Sequence, residues 1–208
     1  MLITLPKIYP LTDAHLSGLS HAEQVKRLLA GGASLIQIRE KDLPSKAFYA
    51  DAVEAVQLAQ AGGARVIMND RVDIALALRA DGVHLGQSDL PVEAARRLLG
   101  DRAVIGYSTH NLDQVRAALR LPIDYLAFGP IFPTGSKQNP DPVAGLKALS
   151  AAQSLAAPLP VVAIGGIRAT NLREVLTAGA NAVALISAII ADPAAITERF
   201  RELKALAD

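Results

Sequence analysis

The chain has 208 residues, 51% hydrophobic and 20% charged, which suits one globular domain with an ample core and leaves little room for disorder. Lysine and arginine number 21 against 20 acidic residues, so no overall charge draws the chain to nucleic acid or anionic lipid, and 4% aromatics offer few platforms for base stacking. Cysteine is absent, which excludes disulfides, thiolate metal sites and a cysteine nucleophile, and fits a cytoplasmic location.

The opening MLITLPKIYPLTD lacks the basic flank and long apolar stretch of a secretory signal, and no apolar run is long enough to span a bilayer. From there, short β-branched runs at residues 7–13, 34–41, 65–70, 82–87, 103–108, 125–132, 160–167 and 182–187 read as strands. Between them, helical periodicity covers 22–30, 45–60, 72–79, 92–99, 112–120, 143–156, 171–177 and 194–207. Gly31-Gly32, Gly62-Gly63, Gly100 and Gly179 follow apolar stripes, where a left-handed residue ends a helix. About eight βα units with no spare segment predict a single-domain α/β fold over residues 1–208, a (β/α)8 TIM barrel with a parallel eight-stranded core. An open doubly wound sheet is the alternative, but Pro10-Leu11-Thr12-Asp13 lacks the glycine-rich turn usual after its first strand.

In such a barrel the chemistry sits at the C-terminal ends of the strands. In Gln37-Ile38-Arg39-Glu40-Lys41 the period of two puts the amide and both cations on the lumen face and Ile36 and Ile38 under the helices. Buried cations need an anion, and a phosphate answers that need. A surface pairing with Glu40 or Asp42 is the structural alternative. Asn69-Asp70 and Asp89 end neighbouring strands, and two carboxylates there can share one Mg²⁺ completed by water and phosphate oxygens. Singly, Asp70 and Asp89 also read as helix caps, as does Ser108 before the helix near Leu112. His84 reads as a satisfied interior histidine, and His110 has no assigned role. The long segment after residue 132 carries Thr134, Ser136 and Lys137 with Gly135 between, a hydroxyl and ammonium set suited to phosphate oxygens. Gly165-Gly166 and Ile186-Ser187 end the last two strands, where barrels often bind phosphate through backbone N–H groups.

Taken together, Gln37-x-Arg39-x-Lys41, Asn69-Asp70-Arg71, Gly86-Gln87-x-Asp89, Gly129-Pro130-x-Phe132-x-Thr134-x-Ser136-Lys137 and Gly165-Gly166 resemble the thiamine phosphate synthase family over nearly the whole chain. The resemblance implies an enzyme that joins hydroxymethylpyrimidine diphosphate to thiazole phosphate with Mg²⁺, releasing pyrophosphate. It implies that Asp70 and Asp89 hold the metal, and that Arg39, Lys41, Asn69 and Lys137 hold the diphosphate. It places Gln37 and Ser108 on the pyrimidine, and Thr134, Ser136, Gly166, Ile186 and Ser187 on the thiazole phosphate. Arg39, Lys41, Ser108 and Lys137 are the residues expected to act on the reacting groups. Ser136 stands where the family more often has threonine, keeping the hydroxyl. The alternatives are a thiazole tautomerase-like isomerase, disfavoured by Pro130 where that chemistry wants a histidine, and a non-catalytic phosphate-binding barrel. No nucleic-acid or membrane partner is expected, and the sequence leaves homo-oligomer formation open.

Overall fold

Eight strands run parallel in a single sheet ordered β1-β8-β7-β6-β5-β4-β3-β2. In the computed structural model, which describes residues 4–135 and 141–208, they are β1 (Ile8–Pro10), β2 (Leu35–Ile38), β3 (Arg65–Asn69), β4 (Gly82–Leu85), β5 (Val104–Thr109), β6 (Tyr125–Phe128), β7 (Val161–Ile164) and β8 (Ala182–Leu185). The ring closes where Leu11, just past β1, bridges Gln37 in parallel, with Leu11 N donating to Leu185 O and Thr12 N to Gln37 O, both at 2.9 Å. The helices between strands are α1 (Ala14–Ser17), α2 (His21–Gly31), α3 (Ser45–Ala61), α4 (Val72–Leu78), α5 (Val92–Leu99), α6 (Leu112–Ala118), α7 (Gly145–Ala156), α8 (Leu172–Thr177), α9 (Ser187–Ile190) and α10 (Ile196–Ala207). This is the TIM-barrel architecture expected from the pattern.

Strand alternation sorts the apolar residues into two cores. Ile36, Ile38, Val66, Met68, Val83 and Leu85 face outward and pack under helices with Leu28, Phe48 and Ala52. Tyr9, Leu11, Leu35, Ile67, Tyr125, Ala127 and Val162 face inward and fill the lumen. Each fully buried aliphatic side chain in the outer layer contributes about 1.5–3 kcal/mol, so that layer carries much of the stability.

A side chain preceding each of three strands reaches back to the first part of the strand before it. Asp81 Oδ2 accepts from Val66 N (2.7 Å), Asp124 Oδ2 from Ile105 N (2.7 Å) and Asn181 Oδ1 from Val161 N (2.8 Å). These bonds fix the N-terminal rim of the barrel and leave the opposite rim to chemistry.

Helix ends follow the sequence with instructive exceptions. Gly32, Gly63, Gly100 and Gly179 all have positive φ, as anticipated, yet α4 ends on Arg79 in the left-handed region with φ 53° and no glycine. Short α1 and α9 lack the length to show a helical period, and the sequence pattern does not reveal them.

Candidate active site

A cavity of about 510 Å³ opens at the C-terminal rim and is lined by residues from all eight strand ends, among them Gln37, Arg39, Lys41, Asn69, Asp70, Asp89, Ser108, Thr134, Gly166, Ile186 and Ser187. Every site residue anticipated from sequence that lies among the described residues therefore reaches one cavity; Ser136 and Lys137 lie outside them.

The β2 end supplies the cations as its alternation predicts. Neither pairs with Glu40 or Asp42. Arg39 instead bonds Asp13 Oδ2 through its Nη1 at 2.6 Å, and the Lys41 ammonium pairs with the Asp70 carboxylate. Asp70 is one of two non-glycine residues with positive φ (61°) among the described residues. Its backbone N donates to His84 O at 2.8 Å, anchoring this left-handed turn to β4. Aspartate tolerates that conformation better than most residues, and such strain concentrates at functional sites. The apolar run Val66-Ile67-Met68 thus stops on polar residues because the chain leaves the sheet there and turns its carboxylate over the mouth.

Asp89 does not cap α5, whose N-cap is Pro91 without a side-chain bond. Its Oδ2 accepts from Gly86 N at 2.7 Å, which holds the carboxyl beside that of Asp70. Burial raises the Asp89 pKa, and the neighbouring Asp70 carboxylate adds to the rise against the Gly86 N–H and the Lys41 charge. Ser108 is likewise no cap, since Asn111 Oδ1 takes the Gln114 N–H of α6 at 2.9 Å. The Ser108 hydroxyl turns into the lumen.

There it ends a chain of hydrogen bonds that crosses the barrel floor. Gln37 Nε2 donates to Tyr9 Oη (3.0 Å), Tyr9 Oη meets Tyr125 Oη (3.1 Å), Tyr125 Oη meets His84 Nδ1 (2.9 Å), and His84 Nε2 meets Ser108 Oγ (2.8 Å). Burial pushes both tyrosine pKa values well up, so both remain phenols. One direction consistent with the Gln37 amide donating to Tyr9 has the Tyr9 O–H donating to Tyr125 Oη and the Tyr125 O–H donating to His84 Nδ1. In that direction His84 carries its proton on Nε2 and donates to Ser108 Oγ, leaving the Ser108 hydrogen for another acceptor. Gly106 makes this possible, because a Cβ there would lie 2.1 Å from Tyr125 Cζ and 2.5 Å from His84 Nδ1. The His84 and Tyr125 rings stack with centroids 5.5 Å apart. Sequence reasoning took His84 for a satisfied interior histidine, which it is, and missed the two tyrosines that complete the chain.

Two buried polar atoms lining this cavity, Gln37 Oε1 and Asn69 Nδ2, have no hydrogen-bond partner among the described residues, which leaves an acceptor and a donor available to a ligand. Across the mouth, Gly165 and Gly166 both take positive φ (100° and 66°), and a Cβ on Gly166 would strike Pro133 O at 2.6 Å. The glycine pair lets β7 return beneath the segment after β6, with Gly165 O accepting from Phe132 N at 3.0 Å. His110, unassigned from sequence, lies at this rim with Nδ1 donating to Gly129 O at 2.7 Å and Nε2 3.5 Å from Asp141 Oδ2.

A sequence model of the family described as thiamine monophosphate synthase matches residues 8–189. The chain belongs to that family. It is 42% identical over 201 residues to the thiamine-phosphate synthase of Chloroflexus aurantiacus, covering 96% of this chain and 92% of that one. It is 43% identical over 199 residues to the thiamine-phosphate synthase of Methanospirillum hungatei, covering 94% and 96%. Among solved structures, the thiamine phosphate pyrophosphorylase of Pyrococcus furiosus superposes with a TM-score of 0.86 at 36% identity, covering 97% of this chain and 95% of that one.

Proposed function

We propose that this chain is a thiamine-phosphate synthase that joins 4-amino-2-methyl-5-hydroxymethylpyrimidine diphosphate to thiazole phosphate, giving thiamine phosphate and pyrophosphate. One observation carries the reading: Arg39, Lys41, Asn69, Asp70 and Asp89 converge on one side of a single cavity, while Gly166, Ile186 and Ser187 line the other. The first group suits a metal-bound diphosphate and the second a monophosphate.

The residues fit Mg²⁺. Asp70 and Asp89 are pressed together strongly enough to raise the Asp89 pKa, after burial, and like charges so placed favour a cation between them. Among the described residues no third His, Cys, Asp or Glu joins a metal-binding group. So sparse a set suits an ion that keeps water and substrate phosphate oxygens as its remaining ligands. When bound there, Mg²⁺ neutralises charge on the diphosphate.

Arg39 and Lys41 stabilise negative charge on pyrophosphate as the C–O bond at the pyrimidine methylene breaks. Asn69 Nδ2 donates to a phosphate oxygen. Gln37 Oε1 accepts from the exocyclic amine and the Ser108 hydroxyl donates to a ring nitrogen, so the electron-rich ring is held where it can delocalise the cation. The thiazole nitrogen, its phosphate fixed near Thr134, Gly166, Ile186 and Ser187, then captures the methylene carbon. No enzyme nucleophile is required. Ser136 and Lys137 are assigned the remaining thiazole phosphate and diphosphate contacts in this reading. Residues 1–208 act as one catalytic barrel, in the cytoplasm, on small phosphorylated substrates.

The direct test mixes both substrates with protein and Mg²⁺ and measures pyrophosphate release, expected only when both are present. Turnover of thiazole phosphate alone would indicate a tautomerase, and a melting shift without product a binding protein. Tyr125→Phe tests the hydrogen-bond chain. Removing the hydroxyl leaves Tyr9 and His84 without their shared partner, so the KM for the pyrimidine diphosphate is expected to rise about tenfold, with that for thiazole phosphate unchanged. Equal KM values for variant and wild type in steady-state kinetics would detach the chain from pyrimidine recognition.

A further inference from the structure

Beneath the cations of the mouth lies a second polar cluster that touches no part of the cavity. His21, the first residue of α2, is 0% exposed, with its ring edge-on to Phe48. Its Nδ1 is 2.8 Å from Thr12 Oγ1, and its Nε2 is 3.3 Å from Glu40 Oε2 and 3.7 Å from Asp51 Oδ2. The Nε2 contacts fall outside strict hydrogen-bond geometry, so a neutral Nε2–H meets the two carboxylates by a weak dipole-to-charge attraction.

Both acceptors reach the β2 loop from opposite ends. Thr12 Oγ1 accepts the backbone N–H of Arg39 at 3.1 Å. Glu40 Oε1 accepts the backbone N–H groups of Lys41 (2.8 Å), Asp42 (2.7 Å) and Leu43 (3.2 Å). Burial opposes the Glu40 charge, but those N–H groups and His21 outweigh it and hold its pKa below the usual range. Burial lowers the His21 pKa despite the pull of Asp51 and Glu40, which favours the neutral ring. An ionised carboxylate only accepts, so His21 carries its proton on Nε2 and its Nδ1 accepts from the Thr12 hydroxyl. The alternative acceptor for that hydroxyl, Gln37 O, is more distant at 3.5 Å. The oxygen of Thr12 is then oriented to receive Arg39 N–H.

We propose that His21 is a positioning residue for the diphosphate site: through Thr12 it fixes the backbone of Arg39 and through Glu40 that of Lys41, so both cations face the same phosphate group. The inference rests on the proposed function for the identity of that phosphate, and deepens it. His21 touches no substrate. Its leverage comes from setting the path of a segment that has left the sheet at Ile38 and has no strand partner to hold it.

His21→Leu removes the Thr12 bond and the Glu40 contact while filling the space, and Thr12→Val breaks the Arg39 arm from its other end with little change of volume. Each is expected to raise the KM for the pyrimidine diphosphate, and the Kd for inorganic pyrophosphate with Mg²⁺ measured by calorimetry, by about tenfold. The KM for thiazole phosphate, bound at the far rim, stays unchanged, which a general loosening of the barrel would not allow. His21→Asn, whose amide oxygen can accept from Thr12, restores part of the pyrophosphate affinity. The double variant is no worse than His21→Leu alone, because the Thr12 arm acts through His21. Unchanged pyrophosphate binding, a parallel rise in both KM values, or full additivity would overturn the assignment. If His21→Leu fails to fold, Thr12→Val carries the same comparison. Wild-type protein that binds pyrophosphate but makes no thiamine phosphate would refute the proposed reaction and leave this inference standing; wild-type protein that binds no pyrophosphate would refute both.

Discussion

Asp89→Asn is expected to lower turnover by a factor on the order of 10²–10³ while raising the melting temperature. The two effects have one origin. Burial, reinforced by the Asp70 carboxylate, makes the folded chain hold the Asp89 proton to higher pH than the unfolded chain does. Stability therefore falls as pH rises from the ordinary carboxylate range through the raised value, and at neutral pH ionised Asp89 is a net cost to the fold. Asparagine keeps an oxygen for Gly86 N, at 2.7 Å in the native site, and removes the repulsion. A gain of roughly 2–4 °C, the shift about 1 kcal/mol produces in a chain of this size, is expected in calorimetry without metal. Mg²⁺ is expected to raise the melting temperature of the wild type and leave the variant's where it was. A variant that melts below the wild type, or keeps its turnover, would show that this carboxylate is structural.

Gly106→Ala is expected to destabilise the barrel interior strongly. The added carbon would sit 2.1 Å from Tyr125 Cζ and 2.4 Å from its oxygen, and Tyr125 is 0% exposed and enclosed by the ring of strands. The phenol cannot swing aside without giving up its bonds to Tyr9 and His84. Overpacking of this kind costs about 1–3 kcal/mol, and the broken bonds about 1–3 more. A loss of 3 kcal/mol corresponds to roughly 6–12 °C in melting temperature. The surviving enzyme should also show a raised KM for the pyrimidine substrate, since Ser108 would lose the partner that aims it. A variant melting within a degree of the wild type would mean that the tyrosine lies elsewhere.

The architecture was legible because strand and helix periods differ and alternate cleanly along this chain. The site was legible where a cation or carboxylate interrupted an apolar run, as at Arg39, Lys41, Asp70 and Asp89. Single residues misled where two local roles use the same chemistry. Asp89 and Ser108 each resembled a helix cap, and only the fold shows the first bonded back to Gly86 and the second bonded to a histidine on the next strand. Tyr9 and Tyr125 gave no signal at all, because a buried aromatic in a strand looks like core until its hydroxyl partner, 116 residues away in sequence, is in place. His21 is hidden for the same reason, its partners lying on β1's exit, the β2 loop and α3. The rim residues Asp81, Asp124 and Asn181 did leave a mark, a small polar residue just before a strand, which a search of strand beginnings would have found.

The left-handed backbone at Asp70 narrows what evolution can try there. Glutamate would supply a carboxylate but resists φ of 61°, while glycine accepts the angle and supplies nothing. Asparagine satisfies the angle and half the chemistry. Substitution at this position therefore trades backbone strain against a full carboxylate, and none of these alternatives keeps both.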